Sequence, residues 1–157
     1  MAAPAKIREL IERFEHNLDS YKHGAYNETQ LRREFLDPFF KSLSWDVDNE
    51  HGYAEAYKDV VHEDAIKIAG HIKAPDYSFR IAGLRKFFVE AKRPSINIKE
   101  DPPSAYQLRR YAWSAKLPLS ILTNFDSFEV YDCRSKPDKT DKASHSRVLS
   151  LKYSDYL

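Results

Sequence analysis

A chain of 157 residues is long enough to bury about two-thirds of its unfolded surface as one domain, so neither a disulfide nor a structural metal is needed to hold a core. Charged residues at 31% and hydrophobic ones at 42% are an ordinary soluble balance, no apolar run approaches a membrane span, and no secretory leader is recognisable. A net charge of +1 excludes a module whose hold on nucleic acid rests on overall charge. The single Cys133 excludes a disulfide framework or a cysteine-rich zinc site and fits a reducing, cytoplasmic setting.

Ile7, Leu10, Ile11, Phe14, Leu18 and Tyr21 recur at the 3.6-residue period of a single packing helix, which accounts for residues 1–25 with a connection at Gly24. A second helix is predicted from Asn27, whose side chain can cap it. Gln30 completes a capping box, and Tyr26 is placed to staple against Leu31. Pro38 predicts a break, with Asp37 capping a short further helix through Leu43. Glu28 shares a face with Arg32, Phe35 and Phe39 and is therefore directed inward; an acid in the first turn also complements the helix dipole, and both readings stand. Glu34 is a second, weaker candidate for an inward acid.

Trp45 and Val47 suggest a short extended piece before a polar loop. Val60, Val61, Ile66 and Ile68 read as an edge strand interrupted at His62-Glu63-Asp64, where the spacing matches no familiar metal-ligand set and reads as a turn.

The stretch from Ala74 to Pro94 carries the most chemistry. Its only glycine is Gly83, the natural pivot of a β-hairpin. With a three-residue loop centred there, Asp76 lies opposite Glu90 and Ala74 opposite Lys92. Phe88, Glu90 and Lys92 then share one face, with Phe87, Val89 and Ala91 on the other. Directly opposed residues have Cβ atoms ~5 Å apart, so two carboxylates there repel one another and call for a cation between them, which a hard divalent metal supplies. An isolated Glu-x-Lys is usually a solvated face. Here the flanking Phe87, Phe88 and Val89 indicate a buried strand, where charges must be paired or metal-bound.

After a polar loop, Ser104 and Gln107 have capping-box spacing and open a helix to about Ala115, with Leu108, Tyr111 and Ala112 inward. Gln107 and Tyr111, four apart, are neighbours on it, although capping and core packing explain each separately. Arg109, Arg110 and Lys116 give the helix a basic edge, either solvated or facing phosphate. Leu117 to Thr123 and Ser127 to Cys133 are two further strands. Residues 134–147 are charged and nearly free of apolar side chains, an exposed loop or linker, and 148–157 form a Tyr-rich C-terminal segment. Ending without a polar tail, the sequence reads as a domain excised from a longer protein.

This order gives an α/β fold with a mixed central sheet flanked by helices. Pro75-Asp76, followed after 13 residues by Glu90-Ala91-Lys92, resembles the signature of the PD-(D/E)XK nuclease superfamily, and Gln107 with Tyr111 resembles the Q-x-x-x-Y element of some of its branches. Asn27-Glu28-Thr29, Arg32, Phe35 to Pro38 and Trp45-Asp46-Val47 are similar to the opening of restriction-enzyme nuclease domains. Ala105 to Trp113 resembles the N-terminal cleavage domain of single-chain type IIG restriction-modification enzymes and, more distantly, of type I motor subunits. The likeness runs from about Tyr26 to Tyr156 and departs at Ser44, where the family more often has glycine.

The resemblance implies a restriction-endonuclease-like core over residues 26–133 and Mg2+-dependent hydrolysis of double-stranded DNA to 5′-phosphate ends, with Mn2+ able to substitute. Asp76, Glu90 and the Ala91 carbonyl would hold the metal, joined by Glu28 directly or through water, and Lys92 would serve the attacking water. Gln107 and Tyr111 would support the site, and Arg93, Arg109 and Arg110 are the DNA-backbone candidates. It also implies a methyltransferase and a target-recognition domain C-terminal to this one. A catalytically silent binding or assembly module of the same fold is the alternative.

Overall fold

The computed structural model describes residues 3–157, as an α/β fold with a six-stranded mixed sheet between two helical layers. Helix α1 (Ala5–His16) buries Ile7, Leu10, Ile11 and Phe14, the stripe its periodicity predicts. It is not one helix to Tyr21, however: Asn17 leaves helical geometry and α2 (Leu18–Tyr21) restarts beyond it. The capping box at Asn27 forms as expected, with the Gln30 amide donating to Asn27 Oδ1 at 2.9 Å and the Asn27 amide donating to Gln30 Oε1 at 2.8 Å, and it opens α3 (Glu28–Leu31).

The break expected at Asp37 is absent. The chain passes through a π-turn (Arg32–Leu36) straight into α4 (Asp37–Ser42), and Asp37 has helical torsions. Pro38 has no N–H to give, and the widened turn before it keeps the ring off the preceding carbonyls without ending the helix. Asp37 is then free to accept from the Tyr77 hydroxyl at 2.5 Å. Trp45 follows in irregular backbone after the Leu43-Ser44 turn, not in a strand. Ser44 sits at φ 75°, a left-handed conformation that favours glycine, which is the residue the resemblance leads one to expect there.

The sheet runs β1 (Val60–His62), β4 (Tyr77–Ile81), β5 (Leu84–Ala91), β6 (Leu119–Thr123), β7 (Ser127–Asp132) and β8 (Arg147–Lys152), in that spatial order. Only β5 and β6 are parallel, joined by α5 (Pro102–Ser114); every other pair is antiparallel. The single expected edge strand divides in two. Val60 and Val61 join the main sheet, whereas β2 (Ile66–Ile68) pairs with β3 (His71–Lys73) as a separate hairpin packed on α5. Asp64, between them, is buried under Arg80 (2.9 Å) and Arg85 (2.7 and 3.0 Å), so the His62-Glu63-Asp64 turn is fastened by an ion cluster.

Alternation along β5 builds both cores. Phe87, Val89 and Ala91 face α1, α3 and α4 around Phe14, Phe35 and Phe125, while Phe88 faces α5 with Leu108, Ala112 and Ile98. The fully buried Phe, Leu, Ile and Val side chains among these contribute roughly 1.5–3 kcal/mol each. Of the two readings of 134–147, the structure shows the largely exposed loop and not a free linker. The Tyr131 hydroxyl donates to the Ala143 carbonyl at 2.6 Å, and Arg109 reaches from α5 to Asp141 at 2.7 Å, so the loop is sewn to the sheet.

Candidate active site

The β4–β5 hairpin turns through two residues, not three. Ala82 and Gly83 have φ of 53° and 78°, the positive pair of a type I′ turn, whose twist suits flanking strands. A Cβ on Gly83 would lie 2.8 Å from the Ala56 carbonyl oxygen. Lys86 bulges out of β5, which restores the register expected from a three-residue loop: Tyr77 pairs with Val89 and Phe79 with Phe87. Asp76 and Glu90 are therefore brought together just beyond the last pair.

They are interlocked through each other's backbone. The Asp76 amide donates to Glu90 Oε1 and the Ala91 amide donates to Asp76 Oδ2, both at 2.7 Å. Glu90 is 5% exposed; Asp76 is half-buried. Burial, then the charge of Asp76, pushes the Glu90 carboxyl up to about 8. Asp76 is raised too, by burial, against the opposing pull of the Ala91 amide, Arg32 and Lys92. The Lys92 ammonium donates to Gln107 Oε1 at 2.8 Å, and Gln107 Nε2 donates to the Tyr111 hydroxyl at 2.9 Å. Gln107 is available for this because the capping expectation fails: α5 begins at Pro102 after Asp101, and the Ser104 hydroxyl turns back to the Asp101 carboxylate.

The remaining candidates separate. Glu28 lies on the rim, bound by Arg93 at 3.1 and 3.4 Å; burial works upward on its carboxyl, but those hydrogen bonds prevail and hold it below its usual range. Arg93 also donates to the Gly24 carbonyl at 2.9 Å, so it is engaged within the fold. Glu34 is exposed and takes the Tyr26 hydroxyl at 3.0 Å, away from the acidic pair. Arg109 is no backbone contact: at 1% exposure it is an interior residue paired with Asp141. Arg110 differs, lining a surface groove of about 270 Å³ with Tyr106, Trp113 and Lys136, whose ammonium lies 5.8 Å from the Trp113 ring centre.

Two neighbours of Asp76 were not foreseen as site residues. Arg32 approaches Asp76 Oδ1 at 3.4 Å and the Asp76 carbonyl at 3.2 Å, and its guanidinium lies 4.9 Å from the Tyr77 ring centre. His62 meets the same guanidinium at 3.2 Å. The inward face shared by Glu28 and Arg32 was a signal for the arginine; His62 was weighed only as part of a possible metal-ligand cluster with Glu63 and Asp64, which gave no sign of its contact with Arg32.

A hard divalent ion fits this donor set. Two carboxylates are crowded together with raised titration, and a cation is what relieves them. Among the described residues no three His, Cys, Asp or Glu side chains form a metal-holding group. An ion here would rest on two carboxylates, with backbone and solvent oxygens completing the shell, as suits Mg2+, which retains several waters.

Fold and site together define a restriction-endonuclease-like domain. The sequence profile of the type I restriction enzyme R protein N terminus (HSDR_N) matches residues 57–139, and the chain belongs to that family. It is also 41% identical over 145 residues to the type II restriction enzyme and methyltransferase RM.Eco57I of Escherichia coli, a match covering 91% of this chain and 14% of that protein. The chain thus spans about one-seventh of that relative. No solved structure matches it. No helix among the described residues is long and apolar enough to cross a membrane.

Proposed function

We propose that this domain is a Mg2+-dependent DNA endonuclease of a restriction-modification protein, hydrolysing phosphodiester bonds to leave 5′-phosphates. One observation carries the reading: Asp76 and Glu90 share one patch of the hairpin, with Lys92, just past the end of β5, tethered to Gln107. Asp76, Glu90 and the Ala91 carbonyl are the proposed ligands, and Mn2+ is expected to replace Mg2+. When bound, the ion supplies Lewis acidity for the scissile phosphate and acidifies a coordinated water.

The chain's own groups do the rest. The Ala91 amide fixes one oxygen of Asp76, and the Asp76 amide fixes one of Glu90, so both carboxylates are pre-oriented before any ligand arrives. Gln107, itself bonded to Tyr111, keeps the Lys92 ammonium directed and hydrogen-bonded, ready to orient the attacking water and stabilise charge on the phosphate. Glu28, on the rim, joins through water only if Arg93 yields it. Arg110 is the remaining DNA-backbone candidate. The relative named above is a restriction enzyme and methyltransferase, which supports a methyltransferase as the C-terminal partner; a target-recognition domain and a cytoplasmic setting complete the proposal.

The test is supercoiled-plasmid nicking with Mg2+. The expected result is nicking that EDTA or Asp76→Ala abolishes; undiminished nicking by Asp76→Ala would remove the site assignment.

A further inference from the structure

Arg32 is a cation already seated beside Asp76. Its Nη1 is 3.4 Å from Asp76 Oδ1, and its Nη2 donates to the Asp76 carbonyl at 3.2 Å. The side chain is 16% exposed. It is held from behind: the guanidinium lies on the Tyr77 ring, and Nη2 lies 3.2 Å from His62 Nδ1. His62 Nε2 is 2.9 Å from the Val47 carbonyl, which can only accept, so Nε2 carries the proton and Nδ1 accepts from Arg32. Tyr77 is anchored in turn by its bond to Asp37. Arg32 itself leaves the backbone at the start of the π-turn.

Orientation of Asp76 does not depend on this arginine, because Oδ2 already accepts the shorter bond from the Ala91 amide at 2.7 Å. What Arg32 adds is a positive charge beside the oxygen left over for a ligand. We propose that Arg32 is a resident counter-cation: it makes the Asp76–Glu90 pair tolerable in the metal-free protein and competes with the divalent ion for Asp76, lowering the site's affinity. This rests on the metal reading of the same site. Two opposite effects follow from one charge. Without it the apo protein is less stable, because the acidic pair loses part of its compensation, and the ion binds more tightly, because it meets one like charge fewer. A residue that merely positioned Asp76 would weaken both when removed.

The experiment is isothermal titration of the whole domain with Mn2+, alongside thermal melts with EDTA and with Mn2+. Arg32→Met keeps an unbranched apolar stem and deletes the charge. Removing one like charge at this separation, partly screened by solvent, is expected to tighten Mn2+ binding by about tenfold. The EDTA melting temperature should fall while the Mn2+-induced rise grows. Arg32→Lys, which keeps the charge, should bind as the wild type does. Arg32→Gln, neutral but polar, carries the test if Arg32→Met does not fold. Unchanged or weaker Mn2+ binding in the neutral variant overturns the proposal. Absence of Mn2+ binding by the wild type overturns the metal reading itself, so the two failures are separable.

Discussion

Glu90→Gln should stabilise the metal-free domain while abolishing the proposed plasmid nicking. The substitution is nearly isosteric, and its Oε1 can keep the 2.7 Å bond from the Asp76 amide, so charge is what changes. Burial and the neighbouring Asp76 lift the Glu90 carboxyl from 4.5 to about 8. Between those values the folded state holds a proton that the unfolded state has released. Stability of the wild type therefore falls as pH rises through that window, at a limiting slope of roughly 1 kcal/mol per pH unit.

Gln removes the dependence. Two like charges ~5 Å apart at an effective dielectric of ~20 repel by roughly 3 kcal/mol, so the expected gain at pH 8.5 is roughly 2–4 kcal/mol, or about 5–10 °C for a domain of this size. The assay is thermal and urea unfolding in EDTA at pH 5 and pH 8.5. The two proteins should converge at pH 5 and separate at pH 8.5 with the variant higher. A variant less stable than wild type at pH 8.5, or a difference that ignores pH, would refute the electrostatic account of the site.

Gln107→Leu removes the 2.8 Å partner of Lys92 without touching the acids; nicking should slow by roughly 10–100-fold, with Mn2+ affinity by titration unchanged. The Arg109–Asp141 pair should respond asymmetrically, as read from urea midpoints. Asp141→Ala strands a guanidinium at 1% exposure and should cost roughly 3–5 kcal/mol. Arg109→Met also removes Nε and Nη2, which have no partner, and should cost less than half as much. Arg110→Ala with Lys136→Ala should weaken duplex DNA binding uniformly across sequences and reduce the slope of log affinity on log salt by about 2, measured by fluorescence anisotropy.

The elements that could be read without the structure are those whose causes are local. The stripe of α1, the capping box at Asn27 and the alternation of Phe87, Phe88 and Val89 each follow from a period or a spacing of a few residues. The Asp76–Glu90 pairing was legible for the same reason, since a single turn sets the register of a hairpin. That it held despite a wrong loop length is owed to the bulge at Lys86, which restored the register. Arg109 was misread because helical position alone cannot tell a basic edge from a face later covered by residues 134–147.

What the sequence determined by itself was a pair of acids across one turn and a lysine beside them, because alternation and hairpin geometry act over neighbouring residues. What only the tertiary structure decided was how those charges are compensated. Arg32 meets Asp76 across 44 positions, Arg93 meets Glu28 across 65, and Lys92 meets Gln107 once α5 has crossed the sheet. A long cationic side chain can satisfy any acid within its reach, and which acid that is depends on how the layers pack.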